Sequence, residues 1–230
     1  MMKKIGILCA SDTELDPFLL RLQKETRKKA GMLTFHEGIF GEMPLVCFYS
    51  GVGKVNAAIG TQLLIDRFSP DAVICAGCAG AVDDTLARFD TVVSEEITYH
   101  DMKEDILTDF HPWMSSPFFR ADATLLAAAK RAAEKTELPV RFGRSVTGDA
   151  FIESLEARNA IRRRFSPLSV DMESAAAAHV CYVNGVPFLS VRTITDAANA
   201  ESAALFETNV EKASLLAANF VWGLLAVLSQ

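Results

Sequence analysis

The sequence predicts an α/β fold: one domain, residues 1–230, built around a central mixed, largely parallel sheet. Short apolar runs of strand length alternate with longer stretches of helical composition along the whole chain. Half of the 230 residues are hydrophobic, enough for a sizeable core. No linker-like change of composition, internal repeat or low-complexity tract interrupts the alternation. Strands that alternate with helices in this way are typical of a parallel sheet in a single α/β domain.

Eight stretches predict strands, because each is a short apolar or β-branched run bounded by turn-forming residues. The two runs on either side of Gly41 predict a hairpin that turns at this glycine. The small residues from Ala76 to Gly80 predict a loop after the fourth strand. In chain order, the predicted strands are 4–10, 32–40, 42–50, 71–75, 91–95, 140–147, 168–170 and 187–194.

Six stretches predict helices, and several of them have recognisable ends. Ser11 or Asp12 can cap the first helix, and the Ser-Pro pairs at 69–70 and 166–167 end the second and the fourth. Residues 99–119 are rich in aromatic residues and lack periodicity, which predicts a long lid, a binding loop or an interface. In chain order, the predicted helices are one that opens at residue 11 or 12, then 55–68, 121–135, 155–165, 173–183 and 210–229.

Charge and composition disfavour several classes of function. The formal net charge is -6, and the basic cluster Arg162-Arg163-Arg164 lies on a helical stretch where a solvated face is expected, so nucleic-acid binding is disfavoured. The apolar run 220–228 is too short to span a membrane. Cys75 and Cys78 have C-x-x-C spacing but no second cysteine pair and no nearby histidine, so we expect no metal and no redox cofactor. These features together predict a cytoplasmic protein.

Four acids follow predicted strands, and two of them, Asp171 and Glu173, are only one residue apart. Ligands of α/β sheets bind at strand ends, where carboxylates can accept hydrogen bonds from vicinal hydroxyls such as those of ribose. Acids in an apolar pocket can also serve as general acid and general base. The alternative is that these acids stabilise the first turns of helices, which explains Asp171 and Glu173 least well. The four acids are Glu14, Asp171, Glu173 and Asp196.

Two glycine-rich loops, 51–54 and 76–80, follow predicted strands. Neither has the spacing of a P-loop or of the dinucleotide-binding fingerprint. Small residues at these positions permit close approach of a ligand to the backbone, but a tight turn requires the same residues. The two explanations remain equally open.

Motifs along nearly the whole chain resemble the nucleoside phosphorylase/hydrolase superfamily, and within it the family of bacterial 5'-methylthioadenosine/S-adenosylhomocysteine nucleosidases. The motifs are specific as an ordered set: 4–7 with Glu14, 50–58, 77–80, 92–94, 99–101, 145–152, 170–173 and 192–196. The resemblance implies a three-layer α/β/α sandwich and hydrolysis of the N-glycosidic bond of 5'-methylthioadenosine and S-adenosylhomocysteine, releasing adenine and the 5-thioribose product. It further implies a homodimer that needs no cofactor and binds neither nucleic acid nor membrane.

The resemblance also implies a role for each matching residue. Asp196 is implied to protonate N7 of adenine, and Glu14 to position and deprotonate the attacking water. Glu173 is implied to bind the ribose hydroxyls, with Met172 packed against the sugar. The other substrate-binding residues that it implies are Val52, Cys78, Gly80, Phe151, Ile152, Asp171, Thr195 and Phe206. Three residues implied to close the 5' pocket from the partner subunit are Met102, Ile106 and Pro112, although plain interface packing explains this apolar loop almost as well.

Differences from the family pattern bear on the reaction. Related phosphorylases hold phosphate with arginines near two loops that are here Ser11–Glu14 and the segment beginning at Cys75, so we expect hydrolysis rather than phosphorolysis. Asp171 stands where the family more often has Glu, and Cys78 and Thr195 stand where it more often has Ser. Alternative hypotheses are a purine nucleoside phosphorylase, a futalosine-type nucleosidase, and a nucleoside-binding protein without turnover.

Overall fold

The structure is a computed structural model that describes residues 4–110, 113–199 and 201–230. The strands in these residues are β1 (Ile5–Cys9), β2 (Gln23–Ala30), β3 (Leu33–Phe40), β4 (Met43–Tyr49), β5 (Ala72–Ala81), β6 (Thr91–Tyr99), β7 (Phe119–Arg120), β8 (Val140–Thr147), β9 (Ser169–Asp171) and β10 (Phe188–Asp196). The helices are α1 (Asp12–Leu19), α2 (Lys54–Phe68), α3 (Glu104–Asp109), α4 (Ala123–Ala133), α5 (Leu155–Phe165), α6 (Ser174–Asn184) and α7 (Ser202–Leu228).

All of these strands belong to one mixed sheet. β1 lies between β4 and β5 and is parallel to both, and β10 is parallel to β5 on its other edge. From β10 the sheet continues through β6, β8 and β9, and β9 pairs again with β5, so these five strands form a closed ring. The register places both Asp196 and Val170 opposite Gly80. The ends of β9 and β10 are therefore held beside the same glycine of β5.

Helices cover both faces of the sheet, as the alternation of side chains along β1 shows. Ile5, Ile7 and Cys9 are buried in one hydrophobic core with residues of α1, α4 and α7. Leu8 points to the opposite face and belongs to a second core with residues of α2 and α6. The predicted α/β class and the arrangement of helices on both sides of a central mixed sheet are confirmed.

Several element boundaries differ from the predictions. The whole of β2 was missed, because its charged residues are exposed and carry no apolar pattern. The loop predicted at 76–80 was wrong, since these small residues continue β5, where they pair with β10. Part of the segment predicted to be irregular, 99–119, forms α3 and β7. By contrast, β8 and α5 have the predicted bounds.

The last helix, α7, has 27 residues and begins eight residues earlier than predicted. By length and composition it is the one helix among the described residues that could cross a membrane, with a mean hydropathy of 1.4 in its most apolar window. The apolar run 220–228 considered in the sequence analysis is the end of this longer helix. However, 56% of that window is buried inside the protein, and Trp222 packs against Phe18 of α1, as in the core helix of a globular domain.

Candidate active site

A cavity of about 170 Å³ lies where β5, β9 and β10 end. The first turn of α1, the loop before α2, the segment after β8 and the start of α7 complete its wall. It is lined by all twelve residues that were predicted to act within one subunit: Glu14, Val52, Cys78, Gly80, Phe151, Ile152, Asp171, Met172, Glu173, Thr195, Asp196 and Phe206. The structure thus brings these residues together, while their individual roles stay predictions.

The carboxylate of Glu14 is buried and held by two backbone N–H groups. Ser11 caps α1 by accepting from the Glu14 N–H at 3.3 Å, which fixes the turn that carries this side chain. Oε2 of Glu14 accepts from the Ala10 N–H at 2.7 Å, and Oε1 of Glu14 accepts from the Cys78 N–H at 2.7 Å. A Cβ atom at Gly77 would lie 2.3 Å from Oε1, so only glycine leaves room for the carboxylate. Glu14 is therefore fixed in one position at the edge of the cavity.

The carboxylate of Asp196, at the end of β10, is also buried. Its Oδ1 accepts from the Ala198 N–H at 2.9 Å, and its Oδ2 lies 2.8 Å from the Thr195 hydroxyl. The same hydroxyl is 3.3 Å from the Ala79 carbonyl oxygen. Because a hydroxyl has one proton, Thr195 can donate either to Asp196 or to Ala79. The site thus provides a partner for Asp196 in its ionised and in its protonated form.

Glu173, at the entrance to α6, contacts both the glycine loop and a buried arginine. Its Oε1 accepts from the Gly53 N–H at 2.9 Å, and its Oε2 accepts from Nη2 of Arg192 at 3.3 Å. Burial raises the pKa of Glu173 to about 7, while the Arg192 charge and the Gly53 N–H act in the opposite direction. This carboxyl therefore changes its charge close to neutral pH.

Asp171 is engaged mainly with the protein itself. Its Oδ1 accepts from the Thr147 hydroxyl at 2.7 Å and from the N–H groups of Glu173 and Ser174 at 3.0 and 2.9 Å. Its Oδ2 is buried without a hydrogen bond and lies 3.6 Å from Nε of Arg192. The side chain therefore caps the first turn of α6 and orients the backbone of Glu173.

Arg192 is a buried residue beside the cavity to which the sequence interpretation gave no role. It is 1% exposed, and its guanidinium lies 3.9, 3.6 and 3.3 Å from carboxylate oxygens of Glu14, Asp171 and Glu173. It also donates to the Ser174 hydroxyl at 3.1 Å. A lone arginine inside an apolar strand was the available signal, because a buried charge requires partners. Arg192 links three of the four acids into one network.

Apolar side chains complete the cavity wall. Phe151 and Phe206 meet edge to face, with ring centroids 6.0 Å apart. The Cys78 thiol lies 3.5 Å from the Ser214 hydroxyl, and burial raises its pKa well above the ordinary value. All five cysteines are free and buried, and among the described residues no group of His, Cys, Asp and Glu side chains could hold a metal ion.

Met102 and Ile106, which were predicted to reach a partner subunit, do not line this cavity in the single chain. Met102 packs against the core on the α2–α6 side, and Ile106 is exposed on α3. Pro112 lies outside the described residues. Phe110 and Trp113, on either side of the undescribed gap, are also exposed.

A helix-covered mixed sheet with four buried carboxylates converging on one cavity defines an α/β enzyme that acts on a small molecule. The sequence profile of the phosphorylase superfamily matches residues 4–226, and the chain belongs to this superfamily. It is 34% identical over 229 residues to the 5'-methylthioadenosine/S-adenosylhomocysteine nucleosidase of Staphylococcus aureus (strain JH9), covering 97% of this chain and 100% of that protein.

Solved structures show the same similarity. The S-adenosylhomocysteine nucleosidase of Streptococcus pyogenes, in complex with 5-methylthiotubericidin, superposes with a TM-score of 0.92 at 30% identity, covering 97% of this chain and 96% of that one. The futalosine hydrolase of Helicobacter pylori strain 26695 superposes with a TM-score of 0.91 at 30% identity, covering 98% of both chains. Nucleosidases hydrolyse N-glycosidic bonds, and the predicted class, an N-glycosidic hydrolase, is confirmed.

Proposed function

We propose that the protein hydrolyses the N-glycosidic bond of 5'-methylthioadenosine and S-adenosylhomocysteine, releasing adenine and the 5-thioribose product. The observation that carries this proposal is the convergence of Glu14, Glu173 and Asp196 on one buried cavity. The similarity to nucleosidases over nearly the whole chain supports the choice of substrates.

Asp196 is the general acid in this mechanism. Protonation of N7 makes adenine a better leaving group, which requires a carboxyl that carries a proton before the bond breaks. When Asp196 is protonated on Oδ2, it can donate to the Thr195 hydroxyl, which then donates to the Ala79 carbonyl oxygen. When the proton has moved to the base, the hydroxyl turns to the carboxylate. Thr195 therefore provides a hydrogen-bond partner for both the protonated and the ionised form of Asp196.

Glu14 is the general base that takes a proton from the attacking water. The two N–H groups that hold its carboxylate leave both oxygens with further lone pairs for a water on the cavity side. Glu173 accepts hydrogen bonds from the ribose hydroxyls. As adenine departs, positive charge develops on the ribosyl ring, and the surrounding carboxylates stabilise it electrostatically.

The charge of the cavity favours water over phosphate as the nucleophile. None of the described residues that line the cavity is a lysine or an arginine. Arg192 lies behind the acids, and its guanidinium donates to Ser174, to the Cys78 carbonyl oxygen and to Glu173. A phosphate dianion would therefore meet carboxylates without a free cation, whereas neutral water is not repelled.

The test is the release of free adenine from 5'-methylthioadenosine in phosphate-free buffer. We expect turnover without phosphate, and a fall in kcat of about 100-fold or more in Asp196→Asn, which keeps the shape but cannot supply the proton. Strict dependence on phosphate would refute hydrolysis. Tight binding of the nucleoside without turnover would instead identify a nucleoside-binding protein.

Futalosine hydrolysis is the second candidate, favoured by the close superposition on the H. pylori futalosine hydrolase. The two activities differ in the base and in the 5' substituent. A panel of 5'-methylthioadenosine, S-adenosylhomocysteine, futalosine and inosine, compared by kcat/KM, separates them. A higher kcat/KM for futalosine would replace the first proposal by the second.

We further propose that the protein is a cytoplasmic homodimer in which α3, Phe110 and Trp113 contact the partner. The exposed apolar side chains of Ile106, Phe110 and Trp113 support such an interface. The mass in solution by light scattering tests it: Trp113→Glu is expected to shift the mass from dimer to monomer, and a monomeric parent protein would refute it.

A further inference from the structure

The loop that contacts Glu173 is itself held by an acid from another part of the chain. Gly53, which donates to Glu173, is the N-cap residue of α2 and has no side chain with which to cap it. The cap is supplied instead by Asp149, whose Oδ1 accepts from the Lys54 N–H at 2.8 Å. The N–H groups of two successive residues thus bind two carboxylates, that of Glu173 and that of Asp149.

The side chain of Lys54 fixes Asp149 from the other side. Its Nζ lies 2.7 Å from Oδ2 of Asp101 and 3.5 Å from Oδ2 of Asp149. The same Oδ2 of Asp101 accepts from the Asp149 N–H at 3.0 Å. Both the carboxylate and the backbone of Asp149 are therefore restrained, and the restraint involves three separate segments of the chain.

The position of Asp149 in the chain links the two sides of the cavity. The next three residues, Ala150, Phe151 and Ile152, all line the cavity. Gly53 has a φ of +99°, a left-handed conformation that favours glycine, and a Cβ there would lie 3.3 Å from Oδ1 of Asp149. The loop is thus built to bring the Gly53 N–H to Glu173 and the Lys54 N–H to Asp149 at the same time.

We propose that Asp149 is a positioning residue: by holding the glycine loop, it aligns Glu173 for the sugar and couples this alignment to the segment 150–152 on the other side of the cavity. Asp149 acts through the Gly53 N–H and does not itself touch the reacting atoms. This inference rests on the proposed role of Glu173 in binding ribose. It makes the contribution of Asp149 to the reaction dependent on an intact Glu173 carboxylate.

A double-mutant cycle between Asp149 and Glu173 tests the inference, with kcat/KM for 5'-methylthioadenosine as the readout. Asp149→Ala removes the cap and is expected to lower kcat/KM on the order of tenfold to 100-fold, as for a catalytic group displaced by a fraction of an ångström to 1 Å. Asp149→Asn keeps an oxygen that can accept from the Lys54 N–H and is expected to restore most of the activity. In a Glu173→Ala background, which removes the acceptor of the Gly53 N–H, Asp149→Ala is expected to cause little further loss.

The matched control is Asp122→Ala, which removes a cap of the same kind. Asp122 caps α4 by accepting from the Thr124 and Leu125 N–H groups at 2.9 and 3.0 Å, and no residue of α4 lines the cavity. We expect a lower Tm in both alanine variants but a lower kcat/KM only in Asp149→Ala. If Asp149→Ala does not fold, Lys54→Met tests the same link, because it keeps the backbone N–H and removes only the ammonium group. Lys54→Met is expected to lose less activity than Asp149→Ala, and only where Glu173 is intact.

The possible outcomes separate the inference from the proposed function. Multiplicative losses in the double mutant, or full activity in Asp149→Ala, would overturn the positioning role while leaving the nucleosidase proposal intact. Full activity in Glu173→Ala would refute the role of Glu173 and the inference that depends on it.

Discussion

A methyl group added at Gly77 tests the role of Glu14 without changing any charge. Gly77 lies inside β5 and is not among the glycines with a positive φ, so alanine is compatible with its backbone. The new Cβ would lie 2.3 Å from Oε1 and 2.4 Å from the carboxyl carbon of Glu14, whereas ordinary contact begins near 3.4 Å. The carboxylate must therefore move by about 1 Å, away from the Ala10 and Cys78 N–H groups.

The expected effect follows from this displacement. A reacting group misplaced by about 1 Å lowers the rate on the order of 100-fold, which corresponds to about 2.7 kcal/mol of activation free energy. The extra methyl in a packed interior also destabilises the fold by about 1–3 kcal/mol. We therefore expect Gly77→Ala to remain folded, with a lower Tm, and to release adenine from 5'-methylthioadenosine about 100 times more slowly than the parent.

The matched control is Gly223→Ala in α7, where an added Cβ meets no atom within 4 Å. This variant is expected to keep the parent kcat and to gain about 0.5–1 kcal/mol of stability, because alanine is favoured over glycine in a helix. Rate assays and thermal unfolding on the three proteins complete the comparison. A Gly77→Ala enzyme with the parent kcat would show that Glu14 is not the general base.

The remaining predictions concern the other acids of the site. The pKa of Glu173 is raised from its ordinary value of 4.5 to about 7 in the folded state, so between these values the folded protein retains a proton that the unfolded chain has lost. The free energy of unfolding therefore falls as pH rises through this window, by up to about 3 kcal/mol. Urea unfolding at pH 5 and pH 7.5 should show a smaller fall in Glu173→Gln than in the parent protein. An equal fall in both proteins would contradict the raised pKa. Asp171→Ala leaves Arg192 with one carboxylate fewer and removes three hydrogen bonds, so it should destabilise the fold by about 3–5 kcal/mol in urea unfolding. If Asp171 instead binds substrate directly, the variant would lose substrate affinity at unchanged stability. Thr195→Val removes the hydroxyl beside Asp196 and should lower kcat about tenfold at unchanged fold, while an unchanged kcat would exclude Thr195 from the proton transfer.

Elements whose structure depends on local chemistry were predictable from the sequence. The helix α5 has the predicted bounds because Ser154 caps its start, accepting from the Ala157 N–H at 3.1 Å, and the pair Ser166-Pro167 follows its end. The hairpin of β3 and β4 was predictable because two short apolar runs are separated by a glycine turn.

Elements whose structure depends on distant partners were not predictable in the same way. The small residues 76–80 have low strand propensity, yet they continue β5 because Arg192, Thr193 and Ile194 of β10 pair with them. The exposed strand β2 exists because it pairs with β3, and its charged residues carry no pattern that distinguishes it from a loop. Tertiary pairing overrode local preference in both places.

In the candidate site, too, some features were predictable from local motifs and others depend on distant segments of the chain. The motifs located the acids that line the cavity, but the partners of each acid come from segments far away in sequence. Asp171 was predicted to bind substrate, but no motif indicates the hydrogen bonds that the structure shows: three donors converge on one of its oxygens. Arg192 was overlooked because a single arginine in a strand has no spacing pattern, and only the fold places three carboxylates around it.

Arg192 also explains how so many acids can be buried together and still serve the proposed reaction. Without a cation, neighbouring buried carboxylates would raise one another's pKa until most of them were protonated. The Arg192 guanidinium lies 3.3–3.9 Å from carboxylate oxygens of Glu14, Asp171 and Glu173, so it partly balances their charges from the protein side. Asp196, held by Thr195 and Ala198, forms no ion pair with Arg192 among the described residues, and in the proposed mechanism it is the acid that gives its proton to the base. Three acids near a guanidinium and one without an ion pair to it is a division of charge that suits the proposed reaction, in which a ribosyl cation develops and the leaving group is protonated.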